Sequence, residues 1–245
     1  MFKNILFAAV FAGLAAGLVM SGFSFWKVVP LIIEAEQYET VDHDHHAPTA
    51  EATQDDHAHE SADDHGHDAE EPEEAWAPAD GFERNAYTIA ANLLIGVGFA
   101  LMLGAISVLF AIPLTLHNSL LWGLAGFITF SIAPSLGLAP ELPGMPAGDL
   151  AARQVWWWAT IAVTAAAFIA MAKYPQPIVI AGGIIAMLVP HVLGAPQPTG
   201  HDASQVPAHL AANYVSAAHF MAAAFWLSLA PLYAFGHDWL SKRAR

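Results

Sequence analysis

Apolar residues fall into six runs, each long enough to cross the hydrocarbon core of a membrane, which takes about 20 helical residues. Pro and Gly cluster between the runs, as in residues 139–144 and 194–198, and such clusters are typical of breaks between helices. The pattern predicts an all-α, polytopic transmembrane helical bundle of about six spans. These lie near residues 4–26, 87–112, 119–138, 154–172, 177–194 and 213–235. The alternative for the first run is a cleaved signal peptide.

Composition supports a membrane protein and isolates one polar segment. Of 245 residues, 56% are hydrophobic and only 12% are charged, against about a quarter in a soluble domain. Residues 34–83 hold 18 of the 22 Asp and Glu and none of the 8 Lys and Arg. We therefore expect a first transmembrane helix in residues 1–33, an acidic loop in 34–84 and a five-helix bundle in 85–245. A confined acidic charge argues against nucleic acid as a partner and favours cations.

The basic residues near the spans predict the orientation, because cytoplasmic loops carry the excess of Lys and Arg. With six crossings, one side holds five of them and the other side holds three. Both termini are then predicted to be cytoplasmic and the acidic loop periplasmic. The larger group is Lys3, Lys173, Lys242, Arg243 and Arg245, and the smaller is Lys27, Arg84 and Arg153.

The acidic loop contains three copies of the pattern Asp-His-X-His, beginning at Asp42, Asp56 and Asp64. In an extended backbone, residues two apart point to the same side, so each copy can offer two imidazoles to one ion. Imidazole suits zinc, copper, nickel and cobalt, and the chain has no Cys that could supply thiolate ligands. The alternative is a solvated acidic loop in which His occurs by accident. The predicted metal-binding histidines are His43, His45, His46, His57, His59, His65 and His67.

Between the copies the loop is rich in Ala, Thr, Glu, Asp, Pro and Ser, a composition that cannot bury enough apolar surface to fold. We expect the loop to be disordered without metal and to bind ions weakly, because binding must offset the entropy of ordering the chain. Its metal affinity should fall below about pH 6.5, where imidazoles protonate.

Two histidines lie within apolar runs, where an ionisable side chain is costly and is a functional candidate. His191 lies near the outer end of the fifth run and His219 near the outer start of the sixth, at nearly equal depth, so the two could share one ion. Pro190 weakens the helix beside His191. The alternatives are histidines hydrogen-bonded within the bundle and a haem axial pair.

The outer connections hold three further candidate ligands. His201 and His209 lie in residues 195–212 and could hand metal from the loop to the bundle. Glu141 lies in the connection of residues 139–153 and either pairs with Arg153 or binds the incoming ion. In the second case Arg153 anchors its helix at the lipid headgroups.

Three further stretches carry a family resemblance: Leu138–Gly144 (LAPELPG), Ala152–Trp157 (ARQVWW) and Pro190–Pro196 (PHVLGAP). Together they resemble the CbtA family of predicted cobalt transporter subunits, and the likeness covers most of the chain outside residues 40–80. The resemblance implies a bacterial inner-membrane protein of cobalt uptake, with a small single-span partner, CbtB, that has a histidine-rich end. The motif positions carried onto this chain are Glu141, Pro143, Gly144, Arg153, Gln154, Trp157, His191 and Pro196.

The sequence thus predicts a membrane transporter subunit that imports a divalent transition metal. Cobalt is favoured by the resemblance alone, and the ligand set also permits nickel or zinc. We expect no enzyme and no nucleotide site, since the chain lacks the pattern Gly-x-x-x-x-Gly-Lys-Ser/Thr. The alternatives are a membrane-anchored metal sensor or chaperone, and a haem-binding membrane cytochrome.

Overall fold

A computed structural model describes residues 2–43, 78–79, 81–198 and 204–243. Within these residues all regular structure is helical, as eight α-helices and two π-helical turns. The α-helices are α1 (Phe2–Phe23), α2 (Val29–His43), α3 (Phe82–Leu109), α4 (Ser119–Phe127), α5 (Ala133–Ser135), α6 (Leu150–Lys173), α7 (Pro177–Leu193) and α8 (Ala208–Arg243). The π-helical turns, Ser24–Val28 and Ile128–Ile132, join α1 to α2 and α4 to α5.

The six predicted runs each coincide with one apolar helical stretch, which confirms the all-α polytopic bundle. Four stretches of the described residues are long and apolar enough to cross a membrane: Lys3–Tyr38, Phe82–Leu109, Leu150–Lys173 and Ala208–Arg243. The other two, Ser119–Ser135 and Pro177–Leu193, are shorter. The 17 residues of α7 measure about 26 Å at 1.5 Å each, near the minimum for a span.

The first helix runs further than the charge pattern predicted. α2 extends to His43, so residues 34–43, which were expected to belong to the disordered loop, are helical. Ala35 is fully buried and packs in a small apolar cluster with Leu142, Val206 and Leu210. An apolar face therefore continues beneath the first acidic residues and holds this part of the chain in a helix.

Neighbouring spans run antiparallel. Gly13 and Gly17 of α1 lie against Val97 and Asn92 of α3, so rising numbers in α1 meet falling numbers in α3. Three other pairs of helices also run antiparallel. α1 meets α8 through Ala8 with Gly236 and Phe23 with Phe220, and α4–α5 meets α8 through Gly123 with Leu227 and Ser135 with His219. α6 meets α7 through Trp156 with Pro190 and Met171 with Gly183.

The helix α6 begins beside the end of α5, where Trp156 contacts Gly137, and runs back along the bundle. All six apolar stretches therefore alternate in direction. The start of α1 and the end of α8 share one end of the bundle, the terminal end. The end of α2 and the start of α3 share the other, the loop end.

Small residues bring α1 and α3 into backbone contact. A Cβ atom added at Gly17 would lie 2.7 Å from the Asn92 carbonyl oxygen, closer than real Cβ atoms approach. Asn92 Nδ2 donates to Ser21 Oγ at 3.2 Å, and Ser21 Oγ donates to the Gly17 carbonyl at 2.9 Å. Small residues at a helix interface allow this close approach of two backbones in a membrane bundle.

The main core lies where α1, α3, α4 and α8 meet. Trp226 of α8 is 2% exposed and stacks on Phe130, with ring centroids 5.4 Å apart. Phe99 of α3 meets both rings edge to face. This aromatic cluster fixes α8 against the π-helical turn Ile128–Ile132.

Candidate functional site

His219 projects from α8 toward α5 and makes hydrogen bonds with both ring nitrogens. Nδ1 lies 2.6 Å from the carbonyl oxygen of Val215, one turn earlier in α8. Nε2 lies 2.8 Å from Ser135 Oγ, on the neighbouring span. Ser135 Oγ also lies within hydrogen-bonding distance of the Ser131 carbonyl oxygen. The imidazole is half-buried and is held from two sides.

A cavity of about 280 Å³ opens beside this histidine, between α5, α6 and α8. Apart from His219, Ser131 and Ser135, its walls are mainly apolar. The full lining is Phe130, Ser131, Pro134, Ser135, Leu138, Pro140, Trp157, Ala218, His219 and Ala222. The cavity therefore places one imidazole and two hydroxyl-bearing residues inside the apolar part of the bundle, toward the loop end.

The π-helical turn Ile128–Ile132 borders the cavity. Its last hydrogen bond runs from the Ala133 amide to the Ile128 carbonyl, five residues back. The next residue, Pro134, has no N–H to donate, so the helix is weakened at this point. π-helical turns inside α-helices occur frequently at functional sites.

His191 lies in a different environment. Its ring meets that of Trp156 edge to face, with centroids 5.8 Å apart. Trp156 Nε1 donates to the carbonyl of Pro190 at 3.1 Å, which ties α6 to the end of α7. Nδ1 of His191 is buried and makes no hydrogen bond with the described residues. It is one of two such buried side-chain atoms there, the other being Thr164 Oγ1.

The two membrane-depth histidines therefore share no neighbour among their described contacts. His191 faces Trp156, whereas His219 lines the cavity with Trp157. Within the described ranges, no group of three or more His, Cys, Asp or Glu side chains is arranged to hold a metal. A single ion shared by the two histidines stays a prediction, and so does a haem axial pair.

Glu141 and Arg153 form an ion pair that joins the connection after α5 to the start of α6. Arg153 Nη2 lies 2.5 Å from Glu141 Oε2, with side chains 20% and 30% exposed. Asp149 caps the start of α6, where its carboxylate accepts from the Ala152 amide at 2.8 Å. Because Pro140 lines the cavity, Glu141 lies next to its rim. The predicted pairing is confirmed, and a ligand role for Glu141 would require its carboxylate to leave Arg153.

Most of the predicted loop ligands lie outside the described residues: His45, His46, His57, His59, His65, His67 and His201. His43 is the last residue of α2, and His209 is exposed in the first turn of α8. An ion pair between Glu36 and Arg84 connects α2 to α3 where the histidine-rich segment leaves and rejoins the bundle. Residues 44–77 therefore join the bundle at the loop end.

Sequence reasoning missed Ser131 and Ser135, the hydroxyl-bearing residues of the cavity. Their signal was present, since two serines four residues apart flank Pro134 inside the third apolar run. By contrast, a larger cavity of about 470 Å³ near the terminal end has no ionisable residue in its lining. We therefore regard the smaller cavity as the candidate site.

Comparison with known proteins gave one family. A family model described as "Probable cobalt transporter subunit (CbtA)" matches residues 2–237. No curated protein and no solved structure gave a significant match.

Proposed function

The chain belongs to the CbtA family of probable cobalt transporter subunits, and we propose that it imports a divalent transition metal, with cobalt as the substrate, past His219. It is a multi-pass membrane protein, and its family is one of transporter subunits rather than of enzymes. The observation that carries the proposal is a half-buried imidazole held at the wall of an open cavity between the apolar helices α5, α6 and α8. An ionisable group at such a depth is costly and marks ion pathways.

The antiparallel arrangement of the spans supports a proposal that ions are collected and enter the bundle at the loop end. Residues 44–77, the connection that carries Glu141 and the start of α8 at His209 all adjoin the loop end, as the His219 cavity does. We propose that His43, His45, His46, His57, His59, His65 and His67 collect ions there, and that His201 and His209 pass them inward. His191, near the end of α7 beside Trp156, would then serve as a second imidazole.

The distribution of charge supports an orientation with the loop end outside the cytoplasm. The terminal end carries Lys3, Lys173, Lys242 and Arg243, whereas Arg84 and Arg153 lie at the loop end and Lys27 toward it. Because the excess of basic residues lies on the cytoplasmic side of membrane proteins, we propose that this protein lies in a bacterial inner membrane with both termini in the cytoplasm. An inside-negative potential then favours entry of a divalent ion by about 4.6 kcal/mol per 100 mV.

The family description as a subunit implies a partner. We propose a small single-span protein of the CbtB type, as the resemblance of the motifs suggests. Such a partner would pack against the outer, apolar surface of the bundle. For example, Ile184, Ile185 and Val192 of α7 are exposed apolar residues within the described chain.

The test is metal uptake into proteoliposomes that hold the purified protein, with and without its companion subunit. We expect cobalt to accumulate under an inside-negative potential, and His219→Ala to abolish accumulation while the variant stays folded. His117→Ala is the matched control, because His117 is exposed in the turn at the terminal end. Vesicles that never fill with cobalt, nickel or zinc would refute the proposal. A Soret band in the purified protein would favour a cytochrome instead.

A further inference from the structure

The hydroxyl of Ser135 lies between two acceptors, and it can donate to only one of them at a time. Ser135 Oγ is 2.8 Å from His219 Nε2, and it is also hydrogen-bonded to the Ser131 carbonyl oxygen one turn earlier. A serine hydroxyl carries a single hydrogen and two lone pairs. The position of that hydrogen therefore decides what Ser135 presents to His219.

The tautomer of His219 follows from its other contact. A carbonyl oxygen can only accept a hydrogen bond, so Nδ1 must donate its hydrogen to Val215, 2.6 Å away. In the neutral imidazole, Nε2 then carries a lone pair that faces Ser135 at the cavity wall. When the hydroxyl donates to Nε2, this lone pair is occupied. When the hydroxyl donates to Ser131, the lone pair is available.

We propose that Ser135 Oγ and His219 Nε2 together form a two-ligand site for a divalent cation, which the Ser135 hydroxyl opens by rotating. As the ion arrives, the hydroxyl hydrogen turns from Nε2 to the Ser131 carbonyl. A lone pair of Oγ then faces the ion beside Nε2. One hydrogen bond replaces another, the covalent O–H bond stays intact, and no proton leaves the site. The inference rests on the proposed function, in which His219 lies on the ion path.

The geometry fits one metal. Two ligands at about 2.1 Å from an ion and at right angles lie about 3.0 Å apart, close to the 2.8 Å between Ser135 Oγ and His219 Nε2. The cavity, about 280 Å³, has room for an ion with several waters, each of which takes about 30 Å³ in the liquid. Water would supply the remaining ligands.

A site with only two protein ligands is suited to passage rather than storage. None of the other lining residues is a His, Asp or Glu, and no cluster of three such ligands exists among the described residues. An ion held by one imidazole and one hydroxyl keeps most of its water shell and can leave quickly. The π-helical turn and Pro134 place both serines of the site on a weakened stretch of helix.

The test compares Ser135→Ala with Ser135→Thr in proteoliposomes. We expect Ser135→Ala to raise the half-saturating cobalt concentration about 10- to 100-fold, the range found when groups that support a metal ligand are removed. Ser135→Thr should restore it, because a threonine hydroxyl can also bond a carbonyl one turn back. Ser228→Ala is the matched control, since Ser228 bonds its own helix at the Phe225 carbonyl, away from the cavity.

The outcomes separate this inference from the proposed function. If wild-type vesicles fill and His219→Ala vesicles do not, but Ser135→Ala behaves like Ser228→Ala, the two-ligand site is wrong and the transport proposal survives. If both Ser135 variants are impaired equally, a hydroxyl at this position does not restore uptake and the site is again wrong. If wild-type vesicles do not fill, the proposed function itself fails. Thermal unfolding in detergent checks that Ser135→Ala is folded.

Discussion

Glu141 and Arg153 show how a single contact changes the interpretation of a residue. The sequence left Glu141 between two roles, a partner of Arg153 or a ligand for the incoming ion. In the structure its carboxylate is held by the guanidinium at 2.5 Å, beside the cavity rim. Because the pair is partly exposed, we expect it to contribute no more than about 1 kcal/mol to stability.

Exchanging the charges of Glu141 and Arg153 distinguishes the ion-pair role of Glu141 from a ligand role. In the double variant Glu141→Arg and Arg153→Glu, we expect thermal stability and cobalt uptake to recover relative to either single variant, because the pair re-forms with reversed polarity. Unfolding in detergent and uptake into vesicles measure the two quantities. A double variant that is stable but needs much more cobalt for half-maximal uptake would instead assign a ligand role to Glu141.

For single residues, the sequence could identify which side chains lie at membrane depth but not which side chains they contact. His219 was recognisable because an ionisable residue inside an apolar run has few structural explanations. Its partner Ser135 was not, because the two are separated by 84 residues in the chain. The azimuth of each helix, which decides whether His219 faces Ser135 or His191, depends on packing that hydropathy does not encode.

Among the elements, α1 and α3 are in backbone contact, and two glycines of α1 allow a direct comparison. A Cβ at Gly17 would collide with the Asn92 carbonyl, whereas a Cβ at Gly22 would meet nothing within 4 Å. We expect Gly17→Ala to destabilise the bundle by about 1–3 kcal/mol, the usual cost of overpacking. Gly22→Ala should not destabilise it. Chemical unfolding in mixed micelles measures both, and equal effects would show that α1 and α3 are not in backbone contact.

Element existence was predictable, and element boundaries were less so. Each apolar run became a helix, since a buried backbone in lipid must satisfy its hydrogen bonds internally. The charge pattern set the loop boundary at residue 33, inside what is a continuous helix. The error has a physical cause: Glu34 and Glu36 lie on either side of the buried Ala35 in the same turn, so these acidic residues flank a buried stripe and do not mark the end of the helix.

At the scale of the whole molecule, alternating spans place the histidine-rich segment and the His219 cavity at the same end. Because of this shared location, ions collected by the segment would be close to the cavity, and the benefit would depend on the metal concentration outside. If the loop collects ions by weak binding, it raises their local concentration at the cavity but does not take part in passage. Its contribution should therefore be largest when metal is scarce and should disappear at saturation.

Removing the histidines tests this division of labour. With His43, His45, His46, His57, His59, His65 and His67 all changed to Ser, we expect the half-saturating cobalt concentration to rise more than the maximal rate of uptake falls. The loop keeps its length and its acidic charge, so a general attraction of cations is unchanged. Vesicle uptake across a range of cobalt concentrations measures both parameters. An unchanged half-saturation with a collapsed maximal rate would place the loop in the pathway itself.

The pH dependence provides an independent check on the same variant. Imidazoles bind metal only when neutral, so the advantage of the wild type over the histidine-free loop should shrink as the external pH falls through about 6.5. Above that pH the advantage should be constant. Carboxylates titrate near pH 4, and both proteins keep all of them, so a collector built from Asp and Glu would give the wild type no advantage over the histidine-free loop at any pH. Equal half-saturating cobalt concentrations for the two proteins above pH 6.5 would therefore assign ion collection to the 18 acidic residues of residues 34–83 rather than to histidine.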